Sequence, residues 1–488
     1  MSPPGRPQFD PEDDLTDAAD IDINAALADL HRQRLESPIV RPSKAADVAE
    51  LIDASYPHGG ERLERLVEQI RKANDAYPRR NTHPGFFGWI PPSGLPSDAL
   101  AHAMVSVLNG NVVGYWAAPM ATTVEQTVVR WLADLAGFPD AAQGALLSGG
   151  SIANLCGIAS ACARRFGPDY RRRGIAAYSE PSAPVILCSE AAHFSIRRAV
   201  VLLGIGTDNI IGIDTDNQFC MQVDALEAAI EAHDNIICVV ASAGTTNTGA
   251  IDPLDDIAEV CERHGIWLHV DAAYGAGGLM SGELQPRYRG IERADSVVMD
   301  LHKWFFQALS CSLILYRDAQ WSRQLFSETS DYLRKGLDDT PEEFAFFNLS
   351  PELSRRFRAL PVFLSMRCYG LDRLGRLALY NVRLAEYLAD RVRDDDALEL
   401  VNPPQLSIMT FRYRPAGAGD ELADRLTSAI RERIELEGDY LMSPTTVHGR
   451  PVFRVCIINH ATRVEHIDGM LDSVLRIGAE LSDENPPA

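Results

Sequence analysis

IWLHVDAAYG (residues 266–275) and DSVVMDLHKW (residues 295–304) are built alike. Each is a short run of large apolar residues that breaks off into small and polar ones. Neither alternates apolar with polar, so neither reads as a strand with one wet face. Continuous runs of this kind suit strands of a parallel sheet buried on both sides. The same pattern recurs outward from this pair, in ALLSGG, APVILCS, NIIGI, IICVVASAG and CSLILYRD between residues 144 and 320. Helical stretches such as SIANLCGIASACARR and DPLDDIAEVCERHG lie between them. The alternation predicts an α/β large domain on a mostly parallel sheet covered by helices. Ligands of such sheets bind at the carboxyl ends of the strands, where the small and polar residues of these runs sit.

The flanks divide the rest. Residues 1–20, rich in Pro and Asp, predict a loose tail, and residues 21–97 a helical arm that ends in the loop HPGFFGWIPPSGLP. That loop is either the lining of a site or a rigid surface loop packed on itself. Residues 98–393 are assigned to the large domain, with long helices over 98–137, and residues 394–488 to a smaller C-terminal α/β domain. An arm without a core of its own must lie on something, and a second subunit would serve.

With 488 residues, 46% of them hydrophobic and 23% charged, the chain has apolar mass for a large core. A net charge of −22 argues against nucleic acid or an anionic membrane surface as partner. Nine cysteines are scattered singly, with no CxxC pair and no zinc spacing, so free thiols in a reducing cytoplasm are expected and no metal. The opening MSPPGRPQFDPEDDLTD has neither the basic start nor the apolar run of a signal peptide. No apolar stretch reaches the length of a membrane span.

Lys303 follows directly on an apolar run, between His302 and Trp304. A strand-end lysine is ordinarily just solvated. Thirty-two residues earlier, however, Asp271 closes another apolar strand, where a carboxylate needs a partner. A helix cap or an arginine would suffice for it. A lysine for an aldehyde and an aspartate for a protonated ring nitrogen together are what pyridoxal phosphate requires. SGGSIANL (residues 148–155) adds a glycine–serine turn between strand and helix, whose N–H groups would cradle an anion. It has neither the GxGxxG nor the GxxxxGK[ST] spacing, which removes the dinucleotide and P-loop readings. His193, after APVILCS, would reach the same sheet edge, where a flat ring stacks on a flat cofactor.

SGGSIANL, SEAAHFS, VDAAYG and DSVVMDLHKW together resemble, in order and spacing, the group II pyridoxal-dependent decarboxylases, from about His83 to Ile458. The resemblance implies the fold type I architecture of pyridoxal-phosphate enzymes. It also implies Lys303 as the lysine that carries the cofactor, Asp271 as partner of the pyridine nitrogen, Ala273 under the ring and His193 on its other face. Gly150 and Ser151 resemble the phosphate cradle, Thr246 a threonine near the cofactor, and Ser296, Asp300 and His302 the residues leading to the lysine. The family often has Asn at the position of Asp300. An anionic group beside a phosphate is unfavourable, so Asp300 is expected to point away or to act through a hydroxyl or water. Tyr332 sits where these decarboxylases carry a loop tyrosine that protonates the carbanion, and where aldehyde-forming relatives have phenylalanine. Arg355, Arg356 and Arg454 also match arginines of the family, and one beside the site would hold a carboxylate through two parallel bonds.

Phe86, Phe87 and Trp89, with Trp116, are candidates for the wall of a pocket for an aromatic or bulky apolar side chain. The expected activity is conversion of such an L-amino acid to its amine and carbon dioxide by a homodimer with sites at its interface. The alternatives are an acidic amino acid or diaminobutyrate as substrate, an oxidative aldehyde-forming reaction, and a non-catalytic cofactor-binding homologue.

Overall fold

The structure, a computed structural model, describes residues 28, 30, 32–56, 60–91, 94–328 and 344–484. The tail expected over residues 1–20 lies outside these.

Seven strands form the main sheet: β1 (Gln143–Leu147), β2 (Val185–Ser189), β3 (Ile210–Ile213), β4 (Ile236–Ser242), β5 (Trp267–Asp271), β6 (Ser296–Asp300) and β7 (Ser312–Tyr316). Their order is β1-β7-β6-β5-β4-β2-β3. The five central strands β2, β4, β5, β6 and β7 are buried at every position, because helices cover both faces. β7 is the exception to parallel pairing and runs antiparallel to both β1 and β6. The reason is length: the link from β6 to β7 is too short for a crossover helix, so the chain turns straight back. Lys303 sits in that link.

The helix Gly150–Phe166 follows β1 and runs under the sheet. It is made largely of Gly, Ala, Ser and Cys, and that lets it lie close. A Cβ at Gly157 would stand 2.3 Å from Cε1 of His269 on β5, so only glycine leaves room for that ring.

A second, antiparallel sheet has the order β10-β11-β9-β8, with β8 (Leu398–Asn402), β9 (Ile408–Tyr413), β10 (Ser443–Val447) and β11 (Arg450–Cys456). Its core also takes Leu384, Leu388 and Val392 from the helix Leu371–Arg393, so that helix serves both cores. The helices expected over 98–137 form as two, Pro96–Leu108 and Pro119–Leu135. N-terminal to them, the helices Ala45–Leu51 and Leu63–Ala76 bury almost nothing, Ala73 alone between them. Among the described residues no helix is long and apolar enough to cross a membrane.

Arg355 is a structural residue. Its guanidinium, fully buried, pairs with the fully buried Glu125, bonds the carbonyls of Val112 and Leu146 at 2.7 and 2.8 Å, and lies over the ring of Phe346. It therefore has no role left for a substrate carboxylate. Arg355→Ala should strand the Glu125 charge and destabilise the fold by about 3–5 kcal/mol. Urea denaturation would show this as an earlier midpoint; an unchanged midpoint would mean that the pair holds nothing together.

Candidate active site

Strand register brings the chemistry to one edge. Ser242 at the end of β4 pairs with Asp271 at the end of β5, and Asp300 at the end of β6 pairs with Ser312 of β7. The helix Gly150–Phe166 begins, and the Lys303 link turns, at the same edge. Between them lies a cavity of about 460 Å³ lined by Gly150, Ser151, His193, Asp271 and Lys303, among others. Thr246, Ala273, Asp300 and His302 also face it. Nine of the ten residues expected around a cofactor thus share one cavity.

Asp271 is 8% exposed and receives two hydrogen bonds from the protein: Ala273 N–H to Oδ1 at 3.1 Å and Asn154 Nδ2 to Oδ2 at 2.9 Å. Donors on both oxygens fix the plane of the carboxylate. Asn154 also donates to Ser195 Oγ at 2.9 Å, and Ser195 Oγ meets His193 Nδ1 at 2.8 Å. Burial lowers the His193 pKa despite the nearby Asp271, so the ring is neutral near pH 7. On the far side of Asn154, His269 Nε2 meets Asn154 Oδ1 at 2.9 Å. His269 and Asp271 are two apart on one strand and so share a face.

Lys303 Nζ lies 2.7 Å from Asp300 Oδ2, and the Ser312 hydroxyl bonds Asp300 Oδ1. Burial works to raise the Asp300 pKa, but the Lys303 ammonium and His302 outweigh it and hold the carboxyl below its ordinary value. Of the two expectations for Asp300, pointing away is corrected, while the bond to a hydroxyl is found, with Ser312 as the partner. Its carboxylate faces Gly150, where a Cβ would stand 2.8 Å from both oxygens. The anion lies at the helix end because Lys303 and Ser312 hold it there. His302 is fixed by backbone: Cys311 N–H donates to its Nδ1 at 3.1 Å.

Several other expectations are corrected. Ser296 opens β6, at the end of the strand away from the cavity, and is fully buried against His269 Nδ1 at 2.7 Å and Trp267 Nε1 at 2.9 Å. It belongs behind the site. Phe86 and Phe87 are each 1% exposed in separate apolar clusters, Phe86 with Ile39, Val40 and Leu441, Phe87 under the second sheet. Their size and burial make them core, and among the described residues neither lines the cavity. Trp89 and Trp116 are surface-exposed rather than cavity-lining. Arg356 is exposed beside His102. Arg454 is buried, donating to the carbonyls of Thr246 and Trp89 at 2.7 Å each. Its Nη2 makes no geometric hydrogen bond among the described residues, and the Cys456 thiol lies beside the guanidinium. Tyr332 lies outside the described residues.

Asn154, Ser195 and His269 are the site residues that sequence reasoning missed. Asn154 and Ser195 stood inside segments already singled out, and His269 stood two residues before Asp271 on a strand, which was the available signal.

The cavity fits a flat, basic heteroaromatic phosphate ester with an aldehyde: an amine, an oriented carboxylate and a glycine–serine helix start surround it. The profile of the pyridoxal-dependent decarboxylase conserved domain matches residues 45–414. The chain is 30% identical over 462 residues to an aromatic-L-amino-acid decarboxylase of Bacillus atrophaeus, covering 93% of this chain and 94% of that one. It is 34% identical over 400 residues to an L-2,4-diaminobutyrate decarboxylase of Rhizobium meliloti, covering 80% and 77%. In fold it matches the Oryza sativa TDC solved with PLP and tryptamine, with a TM-score of 0.88 over 98% of this chain and 100% of that one, at 24% identity. Profile, relatives and cavity agree on one conclusion: the chain belongs to the pyridoxal-dependent decarboxylase family, and is a carboxy-lyase whose cofactor is pyridoxal 5'-phosphate.

Proposed function

We propose that the protein decarboxylates an L-amino acid with an aromatic or bulky apolar side chain, with Lys303 as the residue that carries the cofactor. The observation that carries this reading is the presence of Lys303 and Asp271 in one cavity, on adjacent strand ends, with the Gly150–Ser151 helix start beside them.

In this reading Asp271 would accept a hydrogen bond from the protonated pyridine nitrogen, His193 would cover one face of the ring and Ala273 would leave room under the other. Backbone N–H groups at Gly150 and Ser151 take the phosphate, helped by the helix dipole. Thr246 and His302 complete the walls. The bound cofactor supplies an electron sink for the pair left on the substrate Cα when the bond to the carboxyl carbon breaks. Arg454 would hold the substrate carboxylate through Nη2, while its Nε and Nη1 bond the carbonyls of Thr246 and Trp89. Tyr332 gives its hydroxyl proton to Cα, and the proton returns to it from solvent. Lys303 would hold the cofactor aldehyde at rest, and its amine would serve in proton transfer during turnover.

The side-chain preference rests on charge. The cavity lining carries two carboxylates, Asp271 and Asp300, against one ammonium, Lys303. With Arg454 taken by the carboxylate that leaves, an acidic side chain would find no cation besides Lys303 among the described residues that line the cavity, and a neutral one meets no penalty. The same excess of carboxylate in the lining favours diaminobutyrate, with its cationic side chain, as the second reading.

The subunit reading is a homodimer. Val107 is 85% exposed, and Leu100, Leu108, Met120 and Ile70 are also bare, on three helices of the N-terminal part of the chain. A second copy would cover them. The nine cysteines are all free thiols, which fits a reducing cytoplasm.

Three outcomes are expected. In a panel of L-amino acids assayed for amine and carbon dioxide, tryptophan, tyrosine or phenylalanine should exceed glutamate and cysteine sulfinate at least tenfold in kcat/KM. A higher value for the acidic substrates would reverse the preference. Tyr332→Phe should still release carbon dioxide but give less amine than carbon dioxide; equal and undiminished yields would remove Tyr332 from the protonation step. Asp300→Asn should bind the cofactor on the order of tenfold more tightly, about 1.4 kcal/mol, because it removes a negative charge from the phosphate end. Weaker binding in that variant would place the phosphate elsewhere.

A further inference from the structure

Behind the cavity, six side chains form a buried chain from an indole to an imidazole: Trp267, Ser296, His269, Asn154, Ser195 and His193. Every link is 2.7–2.9 Å long. Asp271 hangs from its middle, on Asn154.

The protons of this chain have one consistent assignment. The Trp267 indole can only donate, so Ser296 Oγ accepts from it and turns its own hydrogen toward His269 Nδ1. Asp271, as a carboxylate, can only accept, so the Asn154 group facing it is the amide NH₂ and Oδ1 faces His269. His269 is fully buried and its pKa is pushed down to about 4, so the ring is neutral with one hydrogen, and Nε2 must carry it. The second hydrogen of the Asn154 amide goes to Ser195 Oγ, which then turns its hydrogen to His193 Nδ1. His193 is thereby left with its hydrogen on Nε2. Reversing the Asn154 amide would set an oxygen against the Asp271 carboxylate. Placing the His269 hydrogen on Nδ1 would leave Asn154 Oδ1 and His269 Nε2 as facing acceptors.

We infer that Asn154 and His269 are positioning residues for the cofactor: His269 locks the Asn154 amide, and that amide fixes the Asp271 carboxylate toward the ring nitrogen and the His193 tautomer on the other face. The inference rests on the reading of Asp271 given above. Ser296 and Gly157 serve it from further back, one by pinning His269 Nδ1 and the other by leaving space for the imidazole.

Glutamine can replace this use of histidine, since its side-chain amide offers one donor and one acceptor at a similar separation; phenylalanine keeps the bulk and offers neither. The test titrates pyridoxal 5'-phosphate into the full-length apoenzyme and reads the dissociation constant from the visible absorption band, with the apoenzyme melting temperature measured beside it. His269→Phe should weaken binding at least tenfold, and His269→Gln should bind within threefold of wild type. A loss below fivefold in His269→Phe, or a His269→Gln no better than His269→Phe, overturns the inference. If His269→Phe does not fold, Ser296→Ala decides, because it deletes one hydroxyl: binding at least threefold weaker is expected, and unchanged affinity overturns the relay. Asp271→Asn separates the two layers. If it keeps wild-type affinity, the reading of Asp271 falls and the relay with it; if it loses affinity while the His269 and Ser296 variants keep theirs, the relay alone falls.

Discussion

A carboxylate at the end of a buried strand has to be kept charged and aimed. Asp271 is nearly inaccessible, and its two oxygens are met from the protein side by donors alone, one from the Ala273 backbone and one from Asn154. Charge in such a place is tolerated only when it is well hydrogen-bonded. The remaining lone pairs face the cavity, and a protonated ring nitrogen there completes the set. The composition of the helix Gly150–Phe166, the glycine under His269 and the polar chain behind β5 all follow from holding this one group.

Sheet topology supplies the second partner. Because β6 turns back into β7 without a helix, its link stays at the cavity edge and places Lys303 among the strand ends. Asp300 and Ser312, paired across those two strands, form the seat on which the ammonium rests. A parallel crossover at this point would have carried the lysine's link away along a helix. The antiparallel turn from β6 into β7 is therefore also what puts the amine beside the acid.

Much of this was legible in the sequence. The unbroken apolar runs predict strands covered on both faces, and the main sheet has them. Lys303, Asp271, His193, Gly150 and Ser151 are recognisable because their residue types are unusual at strand and helix ends, and they meet in the cavity. The aromatic loop illustrates the limit. Phe86 and Phe87 look like pocket walls by composition, yet tertiary contacts that local pattern does not encode draw them into two cores. Arg355 and Ser296 fail for the same reason: each is a polar group whose partners, Glu125 for one and Trp267 with His269 for the other, come from distant segments. Asn154 and His269 went unread because each looks like an ordinary interior polar residue until the strand and helix are superposed.

The central claim is the pairing of Lys303 with a cofactor aldehyde opposite Asp271, and it has a direct chemical test. The chain contains four lysines, Lys44, Lys72, Lys303 and Lys335, so a modified one can be assigned without ambiguity. Protein loaded with pyridoxal 5'-phosphate, reduced with borohydride, digested and weighed by mass spectrometry should carry a single phosphopyridoxyl group, on the peptide containing Lys303. A protein that stays unmodified, or that carries the group on one of the other three lysines, would contradict the account.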